Sequence, residues 1–177
     1  LAAGSWLAGL TLGLPFALLG QSMQDLSLPH SGDIRVTDSV MQAGGYYWNV
    51  KTLHTAMGSI VLEGDFIDDR EEGLESLPAY NRIFRLRIET PGFRTQNGIQ
   101  TGQSLGDLKN AFGEADLLAQ YLPGYASIDI SIAGSRIHYL IRDENGQFDD
   151  LSAPEMLPVK EIADGIPIYA IVLIRDF

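Results

Sequence analysis

The side chains in this sequence that could carry acid–base chemistry are three histidines and a large excess of carboxylates. The histidines are His30, His54 and His138, and 23 acidic residues stand against 12 basic ones. None of the histidines lies four residues from another, which is the spacing of a metal-binding pair on one helix face. A general base also needs a positioned partner. His138 with a nearby carboxylate is therefore the arrangement that would suit a hydrolase-like enzyme.

The motifs of common catalytic sites are absent from the sequence. There is no Gly-x-Ser-x-Gly elbow, no His-Glu-x-x-His pair and no phosphate-binding loop. Gly98, Gly102 and Gly106 recur at even spacing, but the lysine of a phosphate loop is missing, so these glycines indicate backbone turns. The chain has no cysteine, which excludes disulfides, thiolate nucleophiles and cysteine-based zinc sites. The sequence therefore predicts a protein that is not an enzyme, without catalytic or cofactor-binding residues.

An acidic segment at residues 63–75 is the part of the chain best suited to bind a metal ion. Calcium takes several carboxylate and carbonyl oxygens, and Asp65, Asp68, Asp69 and Glu72 could supply them. The Asp-x-Asp-x-Asp-Gly calcium loop is absent, and runs of like charge are usually solvated. The sequence favours an exposed loop without a metal. A calcium-stabilised binding module acting through this loop is kept as an alternative.

The overall charge narrows the range of partners. The formal net charge is −11 and the isoelectric point is about 4.5. Proteins that bind nucleic acids need clustered lysine and arginine to neutralise phosphates. The same argument applies to docking on anionic lipid headgroups. We therefore predict a partner that is an envelope protein or a small ligand, and no nucleic acid.

The N-terminal segment is apolar and uncharged. No charged residue precedes Asp25, and the apolar centre runs from Trp6 to Leu19. A signal peptide contains an apolar stretch of about 7–15 residues, whereas a helix that spans a bilayer needs about 20. We predict that residues 1–22 are a signal peptide or a hydrophobic anchor, which places the protein in the periplasm or cell envelope. A buried Leu-rich helix is the alternative. Membrane contact is expected only through this segment, if it is uncleaved.

The remainder of the chain is predicted to form an exposed lead-in and one domain. Residues 23–45 contain several turn-forming residues and are interpreted as the lead-in. Residues 46–177 are predicted to form a single α+β domain, with an antiparallel or mixed sheet and one or two short helices. Alternating and β-prone runs predict strands at 46–50, 59–64, 82–89, 128–132, 137–141 and 168–174. The last of these strands is apolar throughout, which is typical of a central strand buried on both faces.

One helix is clearly marked by its ends. Ser104 is a natural N-cap and Asp107 follows three residues later, in the arrangement of a capping box. Apolar residues recur on one face from Leu105 to Phe112. Gly113 can end the helix in a left-handed conformation. A second short helix is a candidate near residues 159–163.

The segment around this helix resembles a known family. Residues 97–113 contain the Gly98 and Gly102 step, the capped helix with Asp107-Leu108, and a closing Phe112-Gly113. This pattern is similar to that of the RpoE-regulated envelope lipoproteins, a domain of unknown function (DUF1131). The strands predicted at 82–90, 137–141 and 168–175 resemble strands of that family. The resemblance covers residues 80–177, and a weaker similarity extends to small envelope modules such as BamE.

The resemblance implies an envelope protein and supplies no catalytic residues. A lipoprotein would have a cysteine where Gly20 is followed by Gln21, so the chain departs from the family at this point. We expect a cell-envelope or periplasmic accessory domain of unknown ligand that acts by binding or by supporting assembly. A free edge of its sheet could recruit an extended partner strand. The hydrolase-like enzyme with His138 and the calcium module at residues 63–75 remain the alternatives.

Overall fold

The computed structural model describes residues 13–14, 17–26, 34–68, 81–122, 127–142 and 153–175. Within them the chain forms twelve strands and one α-helix. The helix is α1 (Leu105–Phe112), and short 3-10 turns occur at Met23–Asp25, Glu114–Asp116 and Val159–Glu161. The strands are β1 (Gly13–Leu14), β2 (Ala17–Leu18), β3 (Arg35–Ala43), β4 (Tyr46–Thr55), β5 (Gly58–Gly64), β6 (Ile67–Asp68), β7 (Ile83–Ile88), β8 (Leu117–Leu122), β9 (Ser127–Ile132), β10 (Ile137–Arg142), β11 (Glu155–Leu157) and β12 (Ile168–Ile174).

Ten of these strands form one antiparallel sheet. The order across the sheet is β11-β8-β9-β10-β12-β7-β5-β4-β3, and β6 pairs with β4 beside β5. All pairings are antiparallel. The strands β1 and β2 pair only with each other. Four of the nine pairings join strands that follow one another in the chain, namely β3 with β4, β4 with β5, β8 with β9, and β9 with β10, and the other five join strands that are not consecutive.

The predicted α+β class is wrong, because the described part of the chain is essentially all-β. Its single helix has eight residues, which is too little to form a helical layer on a ten-stranded sheet. The error arose because two sheet strands were not predicted over their full length. Strand β3 lies in the segment interpreted as a lead-in, and β8 lies in a segment with no assigned element. The predicted strands at residues 59–64, 82–89, 128–132 and 137–141 are confirmed as β5, β7, β9 and β10.

Strand β12 is at the centre of the sheet, as its composition predicts. It lies between β10 and β7 and is buried on both faces from Ala170 to Leu173. A strand in this position needs apolar residues at successive positions, because neither face meets water. The uninterrupted run of seven apolar residues in β12 satisfies that requirement.

The main core lies on one face of the sheet, called here the core face. A row of side chains crosses this face from β4 to β8, with each member paired in register with the next. The row consists of Leu53, Ile60, Ile88, Ile171, Tyr139, Ile130 and Ala119, and all of these are buried. Leu105 and Leu108 of α1 pack into the same core, together with Ile99 and Ile162. The opposite surface of the sheet is called the outer face.

Helix α1 begins and ends where the sequence predicts. The Ser104 hydroxyl accepts the Asp107 N–H at 3.1 Å, and Asp107 Oδ2 accepts the Ser104 N–H at 2.9 Å. The Ser104 N–H and the Ser104 hydroxyl both donate to Asp107 Oδ2, and these two hydrogen bonds stabilise the carboxylate and lower the pKa of Asp107 from its ordinary value. The Gly113 N–H donates to the Lys109 carbonyl at 2.8 Å, and Gly113 has a φ of 85°. The capping-box prediction is therefore confirmed.

Part of the apolar N-terminal segment packs against the domain. Ala17 is fully buried, and Met23 is buried as well. The Gly20 N–H donates to the Ile83 carbonyl at 2.8 Å, and the Ile83 N–H donates to the Gln21 carbonyl at 2.8 Å. The predicted boundary after residue 22 thus falls inside a segment that contacts the core. In the residues that the structure describes, no helix combines the length and apolarity needed to cross a bilayer.

Candidate functional site

The most exposed strand of the sheet is β3. Its nine residues pair with β4 in continuous register from Arg35 with His54 to Ala43 with Tyr46. On its other side, none of the described strands pairs with it. Val40 is 62% exposed and Met41 is 50% exposed. With respect to the described residues, this edge therefore presents unpaired backbone N–H and C=O groups beside apolar side chains, which is the form of a surface that accepts another strand.

The two edges of the sheet differ in length. The opposite edge is β11, which has only three residues, Glu155–Leu157. Native sheets usually protect an edge by shortening it, by placing lysine or proline on it, or by covering it. Strand β11 is protected in the first of these ways, because it is short. Strand β3 has nine residues without proline or lysine, its charged residues are Arg35 and Asp38, and no strand of the described residues covers its outer side.

A groove of about 530 Å³ lies along β3 and β4 near this edge. Its volume is in the range of ligand-binding clefts. The strands contribute Asp38, Val40, Asn49 and Lys51, and the turn at Met23–Asp25 forms part of the other side. Lys51 Nζ lies 2.5 Å from Asp38 Oδ1. The groove thus combines apolar and polar groups directly beside an unpaired strand.

His138 has a carboxylate partner on the outer face. Its Nδ1 atom lies 3.0 Å from both Oδ1 and Oδ2 of Asp129 on the neighbouring strand β9. The two side chains are 22% and 19% exposed. Register places Ser131 opposite His138 and Leu140 opposite Asp129, so the pair is diagonal across the two strands. Such a carboxylate can orient an imidazole and leave its second nitrogen free to accept a proton.

The depression beside His138 is small. It measures about 70 Å³ and is lined in part by Leu140, Tyr169 and Val172. This volume holds a few water molecules and is well below the size of most ligand pockets. Ser127 and Tyr169 also border it, with their hydroxyl oxygens 3.0 Å apart. The His138 pair therefore has little room for a substrate in this conformation.

Arginines on the outer face are paired within the sheet. Arg85 forms an ion pair with Glu63, whose side chain is only 7% exposed. Arg87 Nε lies 2.9 Å from Glu89 Oε1. The guanidinium of Arg142 lies over the Tyr169 ring, 4.9 Å from its centroid. Glu63 belongs to β5 and is buried, so the acidic segment does not begin as an exposed loop.

The calcium candidates are not brought together within the described residues. Asp65 forms an ion pair with Arg175, and Asp68 is the last residue of β6. Asp69 and Glu72 lie outside the described residues. Across the described ranges, no three histidine or acidic side chains converge as metal ligands would. Calcium binding at residues 63–75 stays a prediction.

The other two histidines have different surroundings. His54 is on β4, and its Nε2 atom lies 2.9 Å from the Thr37 hydroxyl of β3. This contact ties the edge strand to its neighbour. His30 lies outside the described residues. His54 therefore lies on a different strand from the His138–Asp129 pair.

A search of solved structures found the same overall fold elsewhere. One similar structure is that of the uncharacterized protein YfeY from Escherichia coli. The superposition has a TM-score of 0.59 at 17% sequence identity, and it covers 93% of this chain and 97% of YfeY. At this identity the likeness to YfeY shows the shared fold alone. No family model matches the chain, and no curated protein matches it.

Sequence reasoning missed most of the β3 site. The sequence predicted an exposed lead-in at residues 23–45, whereas β3 runs from Arg35 to Ala43 within this range. The available signal was the β-prone run that includes Val36, Val40 and Met41, but the glycines and polar residues around it favoured a loop. The groove had no local signal, because residues near 23, 38, 49 and 81 meet only in the folded chain.

Proposed function

We propose that this protein is a binding module of the cell envelope, exported to the periplasm, that takes up an extended segment of a partner protein along β3. The observation that carries the proposal is the nine-residue edge strand with exposed backbone and apolar side chains. An added strand gains affinity from main-chain hydrogen bonds and specificity from alternate side chains. The envelope location is supported by the resemblance of residues 80–177 to the RpoE-regulated envelope lipoproteins (DUF1131).

The groove beside β3 supports a binding role for the same edge. A partner strand would lie about 4.8 Å beyond β3, so its side chains on the core-face side would reach the groove mouth. The short opposite edge, β11, offers far less backbone for such pairing. Binding at one end of the sheet would leave the central strands unchanged, which suits an accessory or assembly module.

The proposal is tested by selecting peptides from a random library displayed on phage against the immobilised full chain. Two variants, Ser39→Pro and Val40→Pro, are made in parallel. Successive N–H groups along a strand point to alternate sides, so one proline removes a bond to β4 and the other removes only an outward N–H. The variant that keeps the wild-type melting temperature is used as the edge-blocked protein. Selected peptides are expected to bind it about tenfold more weakly, because one outward N–H is lost, the partner carbonyl that it served is left unpaired, and the proline ring obstructs the partner backbone.

The control for this experiment is Met156→Lys on the opposite edge strand, β11, where Met156 is exposed. Peptides that pair with β3 should bind this variant with unchanged affinity. If no selected peptide distinguishes the edge-blocked protein from the wild type, the proposed function is wrong. If the selected peptides lose affinity only for Met156→Lys, the edge that binds them is β11 instead.

A second candidate function, a hydrolase-like enzyme, has one observation in its favour. The Asp129 carboxylate contacts His138 Nδ1, which would leave Nε2 available to remove a proton from an attacking water. With p-nitrophenyl acetate as the probe, His138→Gln should then lower the rate at least about 100-fold. His54→Gln, a histidine on another strand, is the matched control. Equal rates for wild type and both variants would eliminate this candidate.

A further inference from the structure

Three side chains of β3 share the face that borders the groove. Residues two apart in a strand point the same way, so Val36, Asp38 and Val40 lie on one side. Val36 pairs with Leu53 and Asp38 with Lys51 on β4, both on the core-face side. Asp38 and Val40 line the groove itself. The edge thus presents an apolar, acidic, apolar sequence of side chains to any strand that docks there.

The acidic position in this series is exposed and faces solvent. The Asp38 side chain is 72% exposed, whereas that of its partner Lys51 is only 19% exposed. An ionised carboxylate offers about four acceptor positions, so the contact with Lys51 leaves room for a second donor. A strand that adds to β3 would place the facing Cβ atom about 4.5–5.5 Å from that of Asp38. At this distance a lysine or arginine side chain can contact the carboxylate.

Long-range electrostatics favour the same type of partner. The chain has a formal net charge of −11, and a protein of this charge attracts cationic segments and repels acidic ones. A second copy of the chain carries the same charge, and a β3–β3 pairing centred on residue 38 would place the two Asp38 carboxylates opposite each other. A basic partner strand therefore fits this edge better than a second copy does.

We propose that the segment recognised by β3 carries lysine or arginine opposite Asp38, with apolar residues two positions before and after it opposite Val36 and Val40. The proposal rests on the proposed function and specifies its partner. The order apolar, acidic, apolar is the same from either end of β3. The partner segment therefore needs the same residue types whether it pairs parallel or antiparallel to β3. Apolar cross-strand neighbours on either side would shield the ion pair from water and fix the register.

The test uses the peptides selected on the wild-type chain and two charge-reversal variants, Asp38→Lys and Asp116→Lys. Asp116 is an exposed acid in the turn Glu114–Asp116, outside the β3 groove, so its reversal changes the net charge equally. Selected peptides that depend on β3 are expected to carry a central lysine or arginine between apolar residues at two-residue spacing. Asp38→Lys should weaken their binding at least about fivefold, and Asp116→Lys should weaken it much less.

Matched synthetic peptides complete the test. Replacing the central lysine with glutamate should weaken binding to the wild type by about the same factor and restore binding to Asp38→Lys. If β3-dependent peptides show no preference for a central cation, or if both reversals weaken binding equally, the inference about the partner is wrong and the proposed function stands. If no β3-dependent peptide is found, both fail. Melting temperatures confirm that each variant is folded before binding is compared.

Discussion

Replacing Arg85 with alanine is expected to lower the free energy of unfolding by about 3–5 kcal/mol, because it leaves a buried charge without its partner. Glu63 on β5 pairs with Arg85 on β7, directly opposite in register. The Glu63 side chain is only 7% exposed, so water replaces the lost guanidinium poorly. Urea unfolding at pH 7, monitored by circular dichroism, measures the change.

Removing the charge of Glu63, rather than that of its partner, should lower the free energy of unfolding by a smaller amount. Glu63→Gln keeps an acceptor for Arg85, whose side chain is 27% exposed and can still reach water. We expect a loss of about 1–2 kcal/mol for Glu63→Gln. Glu89→Ala is the matched control, since the Arg87–Glu89 pair has side chains that are 30% and 32% exposed; exposed pairs contribute about 0–1 kcal/mol. Equal losses for Arg85→Ala and Glu89→Ala would show that the Glu63 charge is not buried as described.

Replacing Gly58 with alanine is expected to destabilise the protein by about 2–5 kcal/mol, from backbone strain and a steric clash together. Gly58 begins β5 after the tight turn from Thr55 and has a φ of 146°. A Cβ atom at this position would lie 2.8 Å from the Glu89 carbonyl oxygen and 3.0 Å from Thr90 Cα. Both contacts are to backbone, which cannot move aside without displacing the end of β7.

Comparison with Gly134→Ala separates the effect of backbone strain from that of the steric clash. Gly134 lies in the β9–β10 turn with a φ of 75°, and a Cβ atom there would meet nothing within 4 Å. Only the left-handed backbone then opposes the side chain, at a cost of about 1–2 kcal/mol. Thermal unfolding of both variants by calorimetry gives the comparison. A melting temperature for Gly58→Ala at or above that of Gly134→Ala would contradict the predicted clash.

The sequence predicted those helices and strands whose ends or buried faces are specified by a few residues that are adjacent in the chain. Ser104, Asp107 and Gly113 mark helix α1 because capping is a contact between near neighbours in the chain. Strand β12 was predicted, including its central position, because a strand buried on both faces must be apolar at every position. The β9–β10 hairpin follows from two alternating runs and a short turn around Gly134.

The fold class and the edge site could not be predicted in the same way. An edge strand is exposed on one side of its backbone and in most of its side chains, so β3 shows neither strong alternation nor an apolar run. Without β3 and β8 the sequence suggested a smaller sheet and an α+β domain. The acidic segment at residues 63–75 suggested a solvated loop, whereas strand pairing places Glu63 against Arg85 in the sheet.

The sequence by itself determined the main strands, the capped helix, the central strand and the acidic charge of this protein. These depend on periodicity, capping and composition, which act over a few residues or over the chain as a whole. The tertiary structure alone decided that β3 is an open edge, that Asp129 contacts His138, and that a groove forms near Asp38. Each of these depends on the order and register of strands, which are set by contacts between residues far apart in the chain.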